Sequence, residues 1–220
     1  AFEHVPERVG LPGFVAAQRY VARPGVSGQP AYFTLYELDS LDALNTPRYQ
    51  DLIDRPTAWS ARMRGVLTDF CREPCAVVGR HGPSSAGQLA TLQVRLAGAG
   101  QGDRLDACLR ELVASGAVLS ACWGLADFAS GHPLSQAAAP EAAPAAAQAV
   151  VLLHHVRHEP LREAVARLGG ATGPGLVLRA APGFYEFQSA VRQADLPGAP
   201  AARQPARPDL QQRFSSGDPA

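Results

Sequence analysis

The chain has 220 residues, 46% hydrophobic and 18% charged, with twenty basic and twenty acidic residues and a formal net charge of zero. That balance argues against a nucleic-acid surface or a polybasic membrane surface, both of which need clustered positive charge. The basic residues are all arginine, so Schiff-base and other lysine chemistry is excluded outright.

In chain order, EHVPER (3–8) reads as the tail of a helix whose preceding strand is missing. FVAAQRYVAR (14–23) and AYFTLYELD (31–39) follow as strands, joined by the Gly/Pro-rich hairpin loop PGVSGQP. In the second of these, Tyr32, Thr34, Tyr36 and Leu38 face one way and Phe33, Leu35 and Glu37 the other, so both faces are expected to be covered. Ser40 is placed to cap a turn and Pro47 to limit the next helix. PTAWSARMRG adds a short amphipathic piece carrying Trp59, and CAVVGRH (75–81) closes the first half as a strand.

After a linker (82–89), TLQVRLAG (91–98) alternates as a strand, with Leu92, Val94 and Leu96 on one face. Asp103 stands where an N-cap belongs, and Leu105, Cys108, Leu109, Leu112 and Val113 form a helical stripe ended by Ser115-Gly116. VLSACWGLADF (118–128) is the next strand. An Ala/Pro-rich insertion (133–148) lacks the large side chains needed to pack. AVVLLHHV (149–156) reads as a strand covered on both faces. Pro160 opens a helix that stops at Gly169-Gly170, and GLVLRA (175–180) is the last expected strand, with Phe184, Tyr185 and Phe187 beyond.

The order strand, helix, strand, strand, helix, strand is the split β-α-β of a ferredoxin-like unit. The expectation is an α+β fold of two such repeats: residues 1–81 without their first strand, and 90–192. Residues 193–220 are expected to be a disordered tail.

Residues 3–63 resemble an uncharacterised bacterial branch of the dimeric α-β barrel superfamily, near the EthD-like proteins. The resemblance is carried by Glu3-His4, Pro6-Glu7-Arg8, Leu11-Pro12-Gly13-Phe14, Arg19-Tyr20, Tyr32, Leu35 to Leu38, Pro56-Thr57, Trp59 and Arg62-Met63. It implies two four-stranded sheets packed face to face into a barrel, a homo-oligomer, and a small-molecule ligand. Relatives in the superfamily include cofactor-free monooxygenases, isomerases and polyketide cyclases, haem enzymes, and proteins without known activity, so the fold alone leaves function open.

Two function classes follow. In the first, a cofactor-free lyase, isomerase or oxygenase acts on a small apolar or aromatic metabolite. His4 then shuttles a proton near neutral pH, Glu37 is an auxiliary acid raised by desolvation, and Tyr20, Tyr32, Tyr36 and Trp59 bind substrate. In the second, a non-catalytic binding or assembly module, His4 holds the Pro-Gly-Phe turn and Glu37 pairs with Arg19. No metal site is expected: His154 and His155 are adjacent on a strand and point to opposite faces, and His158 brings only Glu159. Cys71, Cys75, Cys108 and Cys122 read as reduced thiols, without the second close pair a zinc site needs. No apolar run spans a bilayer, and a cytoplasmic location is expected.

Overall fold

The computed structural model describes residues 2–25, 28–67, 70–96, 98–127, 146–170, 176–200 and 203–215. Its strands are β1 (Phe14–Ala22), β2 (Tyr32–Leu38), β3 (Cys75–His81), β4 (Gln88–Leu96), β5 (Ser120–Ala126), β6 (Ala147–His155), β7 (Val177–Leu178) and β8 (Gly183–Arg192). Its α-helices are α1 (His4–Val9), α2 (Pro47–Asp54), α3 (Ala58–Arg64), α4 (Gln101–Ala114), α5 (His158–Gly169) and α6 (Pro208–Ser215). The strands form one antiparallel sheet in the order β2-β1-β8-β4-β6-β5-β3, with β7 pairing β4. The fold is thus α+β.

Strand alternation divides the core into two faces. On the outer face, Leu92 and Val94 of β4, Trp123 of β5, and Val151 and Leu153 of β6 pack under Leu105, Leu109 and Leu112 of α4 and Leu161 and Leu168 of α5. Each of these leucines contributes about 2 kcal/mol of transfer free energy. Nearer the start of the chain, Phe14 packs with Tyr49, Leu52 and Ile53 of α2, while Val5 and Val9 of α1 cover Ala17. The opposite, inner face joins Tyr20 of β1, Leu89 of β4, Leu152 of β6 and Tyr185 of β8 to Phe33 and Leu35 of β2 and Cys122 of β5. A cluster reaching from β2 to β5 across this strand order requires the sheet to curl around it.

Local sequence chemistry sets several boundaries. Ser40 accepts from the Asp42 amide at 3.2 Å and caps a 3-10 turn (Leu41–Asn45), and Pro47 occupies the first turn of α2. Gly13 has φ +82°, and a Cβ there would lie 2.7 Å from that of Ala43, so the turn into β1 requires glycine.

The structure differs from the sequence expectation at several places. Helix α5 starts at His158, so Pro160 is its third residue and does not open it. Helix α4 starts at Gln101 behind a left-handed Gly100, and Asp103 lies in its first turn instead of capping it. β4 starts at Gln88, inside the expected linker. The run expected to close the set yields only the two-residue β7. The long final strand is β8, which bonds β1 on one edge and β4 on the other. Residues from 193 on, expected to be disordered, include α6 and make hydrogen bonds to the N-terminal region from three of their residues. Arg203 Nε donates to Glu7 Oε1 at 2.7 Å, the Arg207 amide donates to Glu3 Oε2 at 2.6 Å, and Gln193 donates to the carbonyls of Val9 and Leu11. Buried carboxylates need such donors, and local composition does not reveal where they come from. Most of the Ala/Pro-rich insertion lies outside the described residues.

Asp106 of α4 locks the helix to the sheet. It accepts from His81 Nε2 at 2.8 Å, Trp123 Nε1 at 2.9 Å and Arg110 Nη2 at 2.7 Å. Gly79 makes room, since a Cβ there would lie 2.2 Å from Asp106 Oδ1. Burial raises the carboxyl's pKa, but the bonds from Trp123, His81 and Arg110 outweigh that and hold it below its ordinary 3.8. A depressed acid stabilises the fold above its unfolded pKa and loses that contribution as pH falls through the folded one. Asp106→Ala should therefore cost about 1–3 kcal/mol at pH 7 in urea melts, by leaving Trp123 Nε1 unpaired. The gap from wild type should narrow as pH falls below 3.8, because the charge-linked part is lost while the Trp123 part remains; a gap unchanged there would refute the assignment.

Candidate functional site

The residues expected to act together lie on opposite faces of the sheet. Tyr20 and Glu37 face inward. His4 lies on α1, and its Nδ1 meets Arg8 Nη1 at 2.8 Å and Ser60 Oγ of α3 at 3.4 Å. Trp59 is on α3 beside that serine. Tyr36 packs with Phe14 and the α1 cluster on the outer face; its hydroxyl is buried and has no hydrogen-bond partner among the described residues. Tyr32 is 57% exposed, and the Arg19 guanidinium lies 4.6 Å over its ring. Arg19 therefore makes a cation–π contact on the outer face and does not pair with Glu37.

His4 as a residue is exposed, yet its Nδ1 is turned toward the protein. Burial of the ring first, and the guanidinium of Arg8 second, hold its pKa well below 6.5. Because Nδ1 accepts from an obligate donor, the imidazole is neutral with its proton on Nε2. That state suits a fixed strut of the α1–α3 contact.

On the inner face, the long-range pairing of β1, β5 and β6 assembles a polar chain that sequence spacing does not show. Tyr20 Oη lies 3.3 Å from His154 Nε2 and donates to Gln18 Oε1 at 2.5 Å. His154 Nδ1 lies 3.4 Å from Ser120 Oγ, which donates to the Ser84 carbonyl at 2.5 Å. A carbonyl can only accept, so the serine proton is committed to Ser84 and Nδ1 must be the donor to Ser120. His154 Nε2 is then a bare lone pair that competes with Gln18 for one phenolic proton. Burial first, and Arg80 second, lower the His154 pKa to about 4. Burial and then Glu37 raise that of Tyr20 to about 12. At neutral pH the pair rests as phenol and uncharged imidazole.

Aromatic rings surround it. Tyr20 meets Phe187 edge-on at 5.7 Å and Phe33 at 6.1 Å, and Phe33 meets Tyr185 at 5.5 Å. Glu37 and Arg80 stand on β2 and β3, the two ends of the sheet order. Arg80 is opposite Cys122 in register and so shares the inner face with it, and both charges bear on the Cys122 thiol, which burial raises. Cys75 is pushed up to about 12, so neither inner-face sulfur is an activated nucleophile.

The three later histidines separate as strand alternation requires. His154 points inward with Leu152, His155 lies on the face of Leu153, and His158 starts α5 with its ring edge-on to Phe184 at 4.9 Å. Among the described residues no three His, Cys, Asp or Glu side chains are grouped as metal ligands, and no helix is long and apolar enough to cross a membrane.

No family model and no curated protein matches the chain.

Of the inner-face residues, sequence points to Tyr20 and Glu37 as site residues and to His154 only as a rejected metal ligand; it does not single out Ser120, Gln18 or Arg80. A polar residue in phase with Val150 and Leu152 on an otherwise apolar strand was the available signal. Its phenolic partner is 134 residues away.

The lowered pKa carries a sign. Unfolded His154 takes up a proton near 6.5 and folded His154 near 4, so stability rises with pH between those values. The span corresponds to about 3 kcal/mol. His154→Gln should flatten the difference between pH 4 and 6.5 in chemical melts. Arg80→Met should move the His154 NMR titration upward, because a repelling charge is gone. An unmoved titration would place Arg80 away from this ring.

Proposed function

We propose that the chain is a small-ligand-binding module. Its inner face takes an aromatic or apolar molecule bearing one hydrogen-bond donor. The observation that carries this is the His154 Nε2 lone pair beside Tyr20, set among Phe33, Tyr185 and Phe187 and short of a proton. A buried acceptor that is incompletely satisfied favours a ligand that supplies the missing donor. Phe33, Leu35, Glu37 and Cys122 are only half-buried, which puts the approach on the side between β2 and β3.

A cofactor-free enzyme is the second reading. The same lone pair favours it, acting as a general base in place of the expected His4. With a pKa near 4, such a base stays competent across neutral pH, so its rate profile would fall only in acid.

The finer fold reading accompanies this proposal. In the second half the order β8-β4-β6-β5 sets β4 between the strands joined by α5, as a split β-α-β unit does. In the first half β2 and β3 are likewise joined through helices, with no described strand between them. The junctions β1–β8 and β5–β3 exchange under a two-fold relation between halves. These correspondences support two related units curled toward a barrel, the first without a counterpart of β4 among the described residues. The free edges of β2 and β3 are also where strands of a second copy would add.

p-Cresol and toluene, which differ by one hydroxyl, test the ligand reading. p-Cresol should give saturable NMR shifts at His154 and Tyr20, and toluene should bind about tenfold more weakly, the scale of one hydrogen bond to a buried acceptor. His154→Phe should remove that preference, and His4→Ala should leave it unchanged. Equal binding of the two probes, or none, would overturn the proposal.

A further inference from the structure

We propose that the hollow between α4 and α5, on the outer face, is a separate binding site for a small monocarboxylate. It is a half-open hollow of about 320 Å3, at the lower end of ligand-site volumes. Gly116, Ala117 and Ala164 leave the space, because none of them projects a long side chain into it. His155, Arg157, Arg167 and Glu163 supply the polar lining.

His155 is the deciding group. It is 7% exposed, so water reaches little of it. Its Nδ1 lies 2.9 Å from the Arg157 amide and 3.2 Å from the Arg157 carbonyl; the amide can only donate, so Nδ1 accepts from it and the neutral imidazole's proton is on Nε2. Nothing among the described residues accepts from Nε2. His155 lines the hollow, so its Nε2–H is left for an acceptor bound there.

The surrounding charges select the class of acceptor. Arg157 is exposed and its guanidinium has no partner among the described residues, whereas Arg167 is held by Glu111 at 2.6 Å. Arg157 and His155 both line the hollow, and a guanidinium together with a ring N–H can donate to both oxygens of a carboxylate. Arg157 is also the N-cap of the twelve-residue α5, whose dipole favours an anion at that end. Glu163, on the same lining, repels a second negative charge. A monoanion is therefore favoured over a phosphate dianion.

Acetate and inorganic phosphate are the probes, titrated into 15N-labelled protein while the His155 ring and the Arg157 amide are followed by NMR. Acetate should produce saturable shifts at both. Arg157→Ala should weaken acetate about tenfold, the loss of one charged hydrogen bond. Glu163→Gln should strengthen it. Arg162→Ala, which removes a guanidinium of α5 that does not line the hollow, should leave it unchanged. All three positions are exposed, so the variants should melt like wild type. The proposal is overturned by the absence of a saturable shift, by saturation with phosphate and not acetate, or by equal losses in Arg157→Ala and Arg162→Ala. None of these outcomes depends on whether p-cresol binds the inner face.

Discussion

Successive side chains on a strand point to opposite faces, and in this protein both faces are built upon. The outer face receives the helices; the inner face encloses its own cluster. Every group with chemical potential is assigned to one compartment or the other by its parity on a strand. Tyr36 and Glu37 are neighbours in sequence, yet one packs against Phe14 beneath helices and the other bears on Tyr20 and Cys122 inside the curl. His154 and His155 are divided the same way. A single-residue register slip would exchange the two sets.

The inner face combines low solvent access with few charges. Burial alone moves the imidazole and the phenol in opposite directions, each toward its neutral form. The result is a pair that exchanges hydrogen bonds and carries no net charge, well suited to reading a hydroxyl or an N–H against an aromatic background. Arg80 and Glu37 stand at the two ends of the sheet order, and their fields reach inward where the curl is open. The cysteines there are protonated and serve as small apolar fillers.

The outer face near α1 solves a different problem. Glu7 is fully buried, and burial raises its pKa against the opposing pull of Arg203. That arginine comes from a segment whose composition suggests no structure at all. Glu3 is similarly occupied, by Thr57 and by the Arg207 amide. The acid-rich opening therefore anchors the C-terminal segment and α3, and His4 braces α1 against them. Charge and a histidine in one cluster can be structural where protein donors reach the carboxylates, as they do at Glu3 and at Glu7 Oε1, although Glu7 Oε2 has no hydrogen-bond partner among the described residues.

The sequence by itself determined most element types before β8, the amphipathic stripes of α4 and α5, the faces of β2 and β4, and the opposite parity of His154 and His155, because these depend on periodicity within one segment. It also placed Ser40, Pro47 and Gly13 at turns for local steric reasons. It did not reveal that β8 outcompetes β7, that Asp106 bonds His81 and Trp123, or that Arg203 reaches Glu7. Tertiary structure alone decided which strands lie side by side, and so brought Tyr20, Ser120 and His154 together. Their contacts span up to 134 residues, and no local pattern encodes a distance that chain folding must close.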